Sequence, residues 1–165
     1  MVSTVVDLEK QRVRALLVEV CDPELPGVTI EELGVLRDVA VTGDGVVVTI
    51  TPTYSGCPAM SAISDDIKRV LEGQGFAKVS VATELAPAWS STAISHSARQ
   101  KLSQAGIAPP LTDCASVRGG TSPSVPCPLC GSSETERVSE FGSTACKALH
   151  RCRSCLEPFD YFKCI

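Results

Sequence analysis

The chain reads as an α+β protein: a small, mostly antiparallel sheet with helices on one face, followed by a C-terminal β zinc ribbon. Three observations point there. Over the first 110 or so of its 165 residues, the hydrophobic pattern switches between helical and strand periods in the order α-β-β-α-β-α. A stretch of small and polar residues rich in Gly, Ser and Pro then runs from 113 to 126. Finally, six of the nine cysteines crowd into the last 39 positions, four of them as two CxxC pairs. The expected organisation is therefore a domain over 1–112, a linker over 113–126 and a ribbon over 127–165.

The elements follow in order. Thr4 to Val20 carries Leu8, Val13, Leu16, Leu17 and Val20 on one apolar stripe, which predicts a helix. Pro23 and Pro26 cannot continue it, so Cys21 to Gly27 is a turn. Val35 to Val41 and Val46 to Thr51 read as strands, joined through Thr42-Gly-Asp-Gly45 as a hairpin. A second helix is expected from Pro58 to Leu71, with Met60, Ile63, Ile67 and Val70 facing inward and Gly73 and Gly75 stopping it. Lys78 to Leu85 alternates as a strand does, and Thr92 to Ala105 predicts a third helix closed by Gly106.

Composition excludes several classes. A hydrophobic fraction of 44% is globular, while 4% aromatic content leaves the core to Val, Leu, Ile and Ala. A net charge of −4 argues against a general nucleic-acid binder. The N-terminal residues show no secretory pattern, and no apolar run reaches the roughly 18 residues of a membrane span. A cytoplasmic protein without a membrane partner is expected, and its cysteines are then expected to serve metal or thiol chemistry rather than disulfides.

In the tail, Cys127-Pro-Leu-Cys130 and Cys152-Arg-Ser-Cys155 are knuckles separated by 21 residues. Two such knuckles close a tetrahedral four-thiolate site, and a fully ligated zinc leaves no position open for catalysis. The metal is therefore expected to be structural, supplying the stability that so short a segment lacks. A rubredoxin-like iron on the same four thiolates is the rival. The tail holds five Lys/Arg against five Asp/Glu, so it offers little counterion release to nucleic acid. Phe159, Tyr161 and Phe162 read as ribbon packing or a partner face, His150 as a packed or solvated side chain, and Cys146 and Cys164 as buried small hydrophobes.

The other chemically suggestive stretch is Thr51-Pro-Thr-Tyr-Ser-Gly-Cys-Pro-Ala59. Gly56 supplies backbone freedom, and Pro58 suits the first position of the following helix, which leaves Cys57 at the N-cap. There the helix dipole and free N–H groups would favour thiolate, making the sulfur a better nucleophile or metal ligand. A structural cap or a buried thiol is the plain alternative. No second cysteine forms a CxxC pair with it, and only His96 and His150 could serve as a base, neither with a sequence cue, so a hydrolase-like arrangement is the weaker alternative.

Cys21-Asp-Pro-Glu-Leu-Pro-Gly-Val-Thr-Ile30, Leu33-Gly-Val-Leu36 and the Thr51–Ala59 turn resemble the SufT-like domain family of iron–sulfur cluster assembly. Glu84-Leu-Ala-Pro-Ala-Trp89 and Gly106-Ile-Ala-Pro-Pro110 extend the likeness. With the cysteine tail attached, the whole chain resembles the PaaD family of accessory subunits, associated with the multicomponent phenylacetyl-CoA ring 1,2-epoxidase (oxygenase) of phenylacetate catabolism. One departure is Leu156, where a glycine is usual after the second knuckle.

The resemblance implies an assembly domain without a nucleotide site, not an enzyme on its own, acting in maturation of an iron–sulfur reductase or a di-iron oxygenase. It implies Cys57 as a transient ligand for iron or a cluster. Asp22 and Glu24 would be oxygen ligands or orienting groups, with a turn and cap as their plain alternative. Thr51, Thr53 and Ser55 would line the pocket or hold the turn by hydrogen bonds. One thiolate is too few for a cluster, which usually takes four ligands, so a homodimer would supply a second Cys57 or a client the remainder. The competing function is a structural or electron-transfer component of the epoxidase itself.

Overall fold

The computed structural model describes residues 2–43, 45–111, 114 and 124–165. Two compact units divide between Trp89 and Ser90. The boundary expected at 112, and most of the linker expected over 113–126, lie outside the described residues. Among the described residues, no helix is long and apolar enough to cross a membrane.

In the first unit, helix α1 spans Val2–Leu17 and helix α2 Ala59–Gly73. Strands β1 (Leu36–Thr42), β2 (Gly45–Ile50) and β3 (Val79–Thr83) form a sheet in the order β1-β2-β3. The first pair is the expected antiparallel hairpin. The second pair is parallel, so the sheet is mixed. Helix α2 is the crossover between β2 and β3, which is the connection that parallel neighbours require.

Val13 and Leu17 of α1, with Val20 beyond its end, are buried at helical spacing, whereas Leu8 is exposed. Ile63, Ile67, Val70 and Leu71 of α2 are buried, as are Val39, Val48 and Ile50 of the strands. The Cys21–Leu36 segment is held from within. Asp22 N–H donates to Val28 O at 2.9 Å, and Ile30 N–H to Val20 O at 3.0 Å. Thr29 and Glu32 form a reciprocal capping box, with bonds of 3.0 and 3.1 Å. Trp89 is buried and donates its indole N–H to Leu33 O at 3.0 Å, pinning the end of the unit to that segment.

In the second unit, helix α3 (His96–Gln104) starts at Ser95, whose hydroxyl accepts from Ala98 N–H at 3.1 Å. It is four residues later than the sequence predicts, because Ser91–Ala93 form a separate 3₁₀ turn. The ribbon strands are β5 (Thr135–Ser139), β6 (Lys147–Cys152) and β7 (Pro158–Phe162), antiparallel in sequence. The two-residue strand β4 (Ile107–Ala108) adds parallel to β7 and draws α3 into the ribbon unit. Ser91 reinforces this: its N–H donates to Ile165 O at 3.1 Å, and its hydroxyl receives Ile165 N–H at 3.3 Å.

A disulfide between Cys114 and Cys164 also closes this unit, contrary to the expectation that the cysteines serve only metal or thiol chemistry. The expected buried small hydrophobe is thus Cys146 alone, whose sulfur lies 3.0 Å from Thr144 Oγ1. Phe159, Tyr161 and Phe162 are all buried, so the aromatic trio is packing.

Candidate metal centre and transfer site

Four sulfurs converge in the ribbon. Sγ of Cys127, Cys130, Cys152 and Cys155 all lie within 4.8 Å of one another. Cys127 and Cys155 are 3.8 Å apart, and Cys130 and Cys152 3.5 Å. Tetrahedral Zn–S bonds of about 2.3 Å require sulfurs about 3.8 Å apart, so the donor set suits zinc in type, number and spacing.

The knuckles are shaped by their turns. Gly131 follows the first with φ 77°, and Leu156 takes the equivalent place after the second with φ 67°. The departure from glycine therefore leaves the turn geometry intact, at a cost of about 1 kcal/mol for a left-handed leucine.

Local N–H groups prepare the sulfurs. The Cys155 N–H lies 3.5 Å from Cys152 Sγ and holds that thiol down to about 6. Cys155 goes the other way. The Glu157 N–H favours its thiolate, but burial and the neighbouring Cys152, Cys130 and Cys127 sulfurs outweigh this and push it up to about 12. Cys152 ionises readily while Cys130 and Cys155 resist, so a cation is what permits all four to be thiolates together. His150 is not part of this set. It is buried between Phe159 and Tyr161, with ring centroids 5.7 and 5.3 Å away, and burial lowers its pKa.

Cys57 lies in the other unit, on the turn between β2 and α2. Gly56 has φ 85°, and Cys57 N–H donates to Tyr54 O at 3.2 Å. Helix α2 begins at Ala59 with Pro58 as its cap residue, so the thiol is not the cap that the sequence suggests. Its protonation also differs from expectation. Burial pushes the Cys57 thiol up, and the Asp22 and Glu24 carboxylates push it further. The Ala59 N–H and the Thr53 hydroxyl favour the thiolate but do not reverse the direction.

The fold thus brings Asp22, Glu24, Thr53 and half-buried Cys57 into one electrostatic neighbourhood. Asp22 is buried and its carboxylate accepts from Glu24 N–H at 2.8 Å, so the turn reading of this pair is also satisfied. Thr51 is buried with its hydroxyl unpartnered among the described residues. Among those residues, the ribbon cysteines are the only group of three or more His, Cys, Asp or Glu that converges as a chelate. Asp22, Glu24 and Cys57 flank one another without forming a closed cage.

One consequence is measurable. In Asp22→Asn the amide oxygen still accepts from Glu24 N–H, but one opposing charge is gone. Alkylation of Cys57 at neutral pH is expected to speed up severalfold, read peptide by peptide by mass spectrometry. An unchanged rate would show that Asp22 does not act on the thiol.

Fold and sites together define an iron–sulfur assembly domain joined to a zinc ribbon. Residues 10–83 match the family model described as iron–sulfur cluster assembly protein, and residues 112–163 match that of the PaaD zinc beta ribbon domain. An Escherichia coli (strain K12) protein, provisionally named as one of the subunits of 1,2-phenylacetyl-CoA epoxidase, is 45% identical over 163 residues, covering 99% of this chain and 98% of its own. An Fe-S protein maturation auxiliary factor of Porphyromonas gingivalis is 35% identical over 89 residues, 53% of this chain and 84% of its own. A solved DUF59 domain of Bacillus anthracis superposes with a TM-score of 0.57 at 32% identity, covering 61% of this chain and 96% of that one. The chain belongs to the PaaD family, which it shares with the Escherichia coli protein.

Proposed function

We propose that this chain is an accessory maturation factor that delivers iron or an iron–sulfur cluster to the reductase or the oxygenase of a phenylacetyl-CoA 1,2-epoxidase. The observation that carries the reading is the charge arrangement at Cys57. Two carboxylates that oppose ionisation of a thiol also attract a divalent cation, and a metal that binds there takes the place of the proton. Such a site is poorly tuned as a free nucleophile and well tuned as a temporary ligand. Neither histidine lies in the unit that holds Cys57, so that unit offers it no imidazole base.

In this reading Cys57 provides the transferable bond, Asp22 and Glu24 draw and orient the cation, and Thr51, Thr53 and Gly56 shape the turn. The open arrangement favours transfer over storage, with the client completing the coordination. The ribbon, held by zinc, is the firm part of the second unit. Both clients would be met in the cytoplasm.

The test separates delivery from participation. Reductase and oxygenase loaded beforehand with their metals are expected to turn over at the same rate with and without this chain, while metal-free partners gain iron and sulfide only when it is present. Preloaded partners that still require the chain would overturn the reading in favour of a structural or electron-transfer component.

A further inference from the structure

Strand β3 is an open edge, and its sequence is unusual for one. Among the described residues it pairs only with β2. Val46 N–H donates to Lys78 O at 2.8 Å and Glu84 N–H to Ile50 O at 2.9 Å. Because backbone groups alternate along a strand, Lys78, Ser80, Ala82 and Glu84 face β2. The N–H and C=O groups of Val79, Val81 and Thr83 therefore turn outward.

Exposed edges are normally blunted by charge, proline or a bulge. The opposite edge of this sheet is. Strand β1 has a bulge between Leu36 and Asp38, and Asp38 is paired with Lys10 at 2.7 Å. Strand β3 reads Val-Ser-Val-Ala-Thr, with no charge, no proline and no bulge. Its charges stand at the two ends only. Lys78 and Glu84 are both exposed, and neither makes an ion pair among the described residues.

We infer that β3 is a self-complementary interface on which a second copy of this chain adds its own β3, antiparallel and centred on Val81. That register overlaps all five strand residues. It sets Val81 opposite Val81, Val79 opposite Thr83, and Ser80 opposite Ala82. The outward-facing groups then meet as hydrogen-bonded pairs. It also brings Lys78 of each copy opposite Glu84 of the other, so the opposite charges at the strand ends meet twice.

The inference stands independently of the proposed function but bears on it. Ile50 lies beside Thr83, so the turn carrying Cys57 leaves from the same end of the sheet as Thr83. In the antiparallel dimer those ends point apart, placing the two Cys57 turns at opposite ends of the joined sheet. The second copy therefore does not supply the missing sulfur, and the client must.

Charge reversal tests this on the full chain. Wild type, Lys78→Glu and Glu84→Lys are sedimented separately over a concentration series, and the two variants are then mixed in equal amounts. Wild type is expected to dimerise reversibly. Each reversal makes both end pairs like-charged and weakens the dimer on the order of tenfold, while the mixture, in which the charges are again opposite, recovers the wild-type dissociation constant. Hydrogen exchange at the Val79, Val81 and Thr83 amides is expected to slow as concentration rises. A wild type that stays monomeric, a dimer indifferent to both reversals, or fast exchange at those amides within the dimer would each overturn the inference. Protection that arises only when a client protein is added would also overturn it, by showing that the edge takes a foreign strand.

Discussion

Stripping the metal from Cys127, Cys130, Cys152 and Cys155 is expected to unfold the second unit and leave residues 2–89 folded. The ribbon knits α3, β4 and the three long strands into one body, so loss extends back to Ser90 rather than stopping at the first knuckle. The apolar cluster that includes the ligands is small: Ala108, Val125, Ala148, Phe159 and Tyr161, together with two of the ligand cysteines themselves. Structural zinc supplies about 10 kcal/mol or more of apparent binding energy, far beyond what that cluster offers.

Hydrogen exchange with and without a strong chelator reads the result by segment. Because Cys114–Cys164 staples the same unit, an arm with reductant alone separates the two constraints. Zinc release is expected to ease as pH falls, since protons compete for the thiolates and Cys155 holds its own up to about 12 when no metal is bound. Unchanged protection over 135–162 after verified zinc loss would remove the structural role.

Replacing Cys57 by serine is expected to abolish loading of the client while changing stability little. Serine is close to isosteric, and the backbone bonds of the turn, Cys57 N–H to Tyr54 O and Met60 N–H to Cys57 O, are retained. The thermal midpoint of the first unit should move by about 1–2 °C, as for a substitution worth a few tenths of a kcal/mol. Client iron and sulfide should fall to the level seen without the chain, because an alkoxide does not form at neutral pH to replace a thiolate. Anaerobic purification with metal and sulfide analysis of both forms, side by side, makes the comparison. A client loaded normally by Cys57→Ser would exclude Cys57 as the transferring ligand.

These expectations rest on different levels of the molecule. The four-sulfur site was legible because a CxxC knuckle is a local object, and two knuckles of suitable spacing have one obvious way to meet. Helix α2 and the β1–β2 hairpin were legible for the same reason, as periodicity and a glycine-rich turn act over a few residues. The parallel placement of β3 and the pairing of β4 with β7 were not, because their partners lie far along the chain and no residue type marks the match. The Cys114–Cys164 bridge is similarly hidden: its ends are 50 residues apart, and neither carries a spacing signal.

Residue order alone places a lone cysteine on a glycine-bearing turn, an acidic pair after the first helix, and four cysteines in two knuckles. The state of that lone thiol depends on the folded surroundings. Read locally, a helix start favours ionisation. Folding instead half-buries the sulfur and brings Asp22 and Glu24 close, and desolvation with two negative charges outweighs one N–H and one hydroxyl. Proton affinity is set by everything that surrounds an atom, and the two charges that oppose ionisation of Cys57 come from a distant part of the chain.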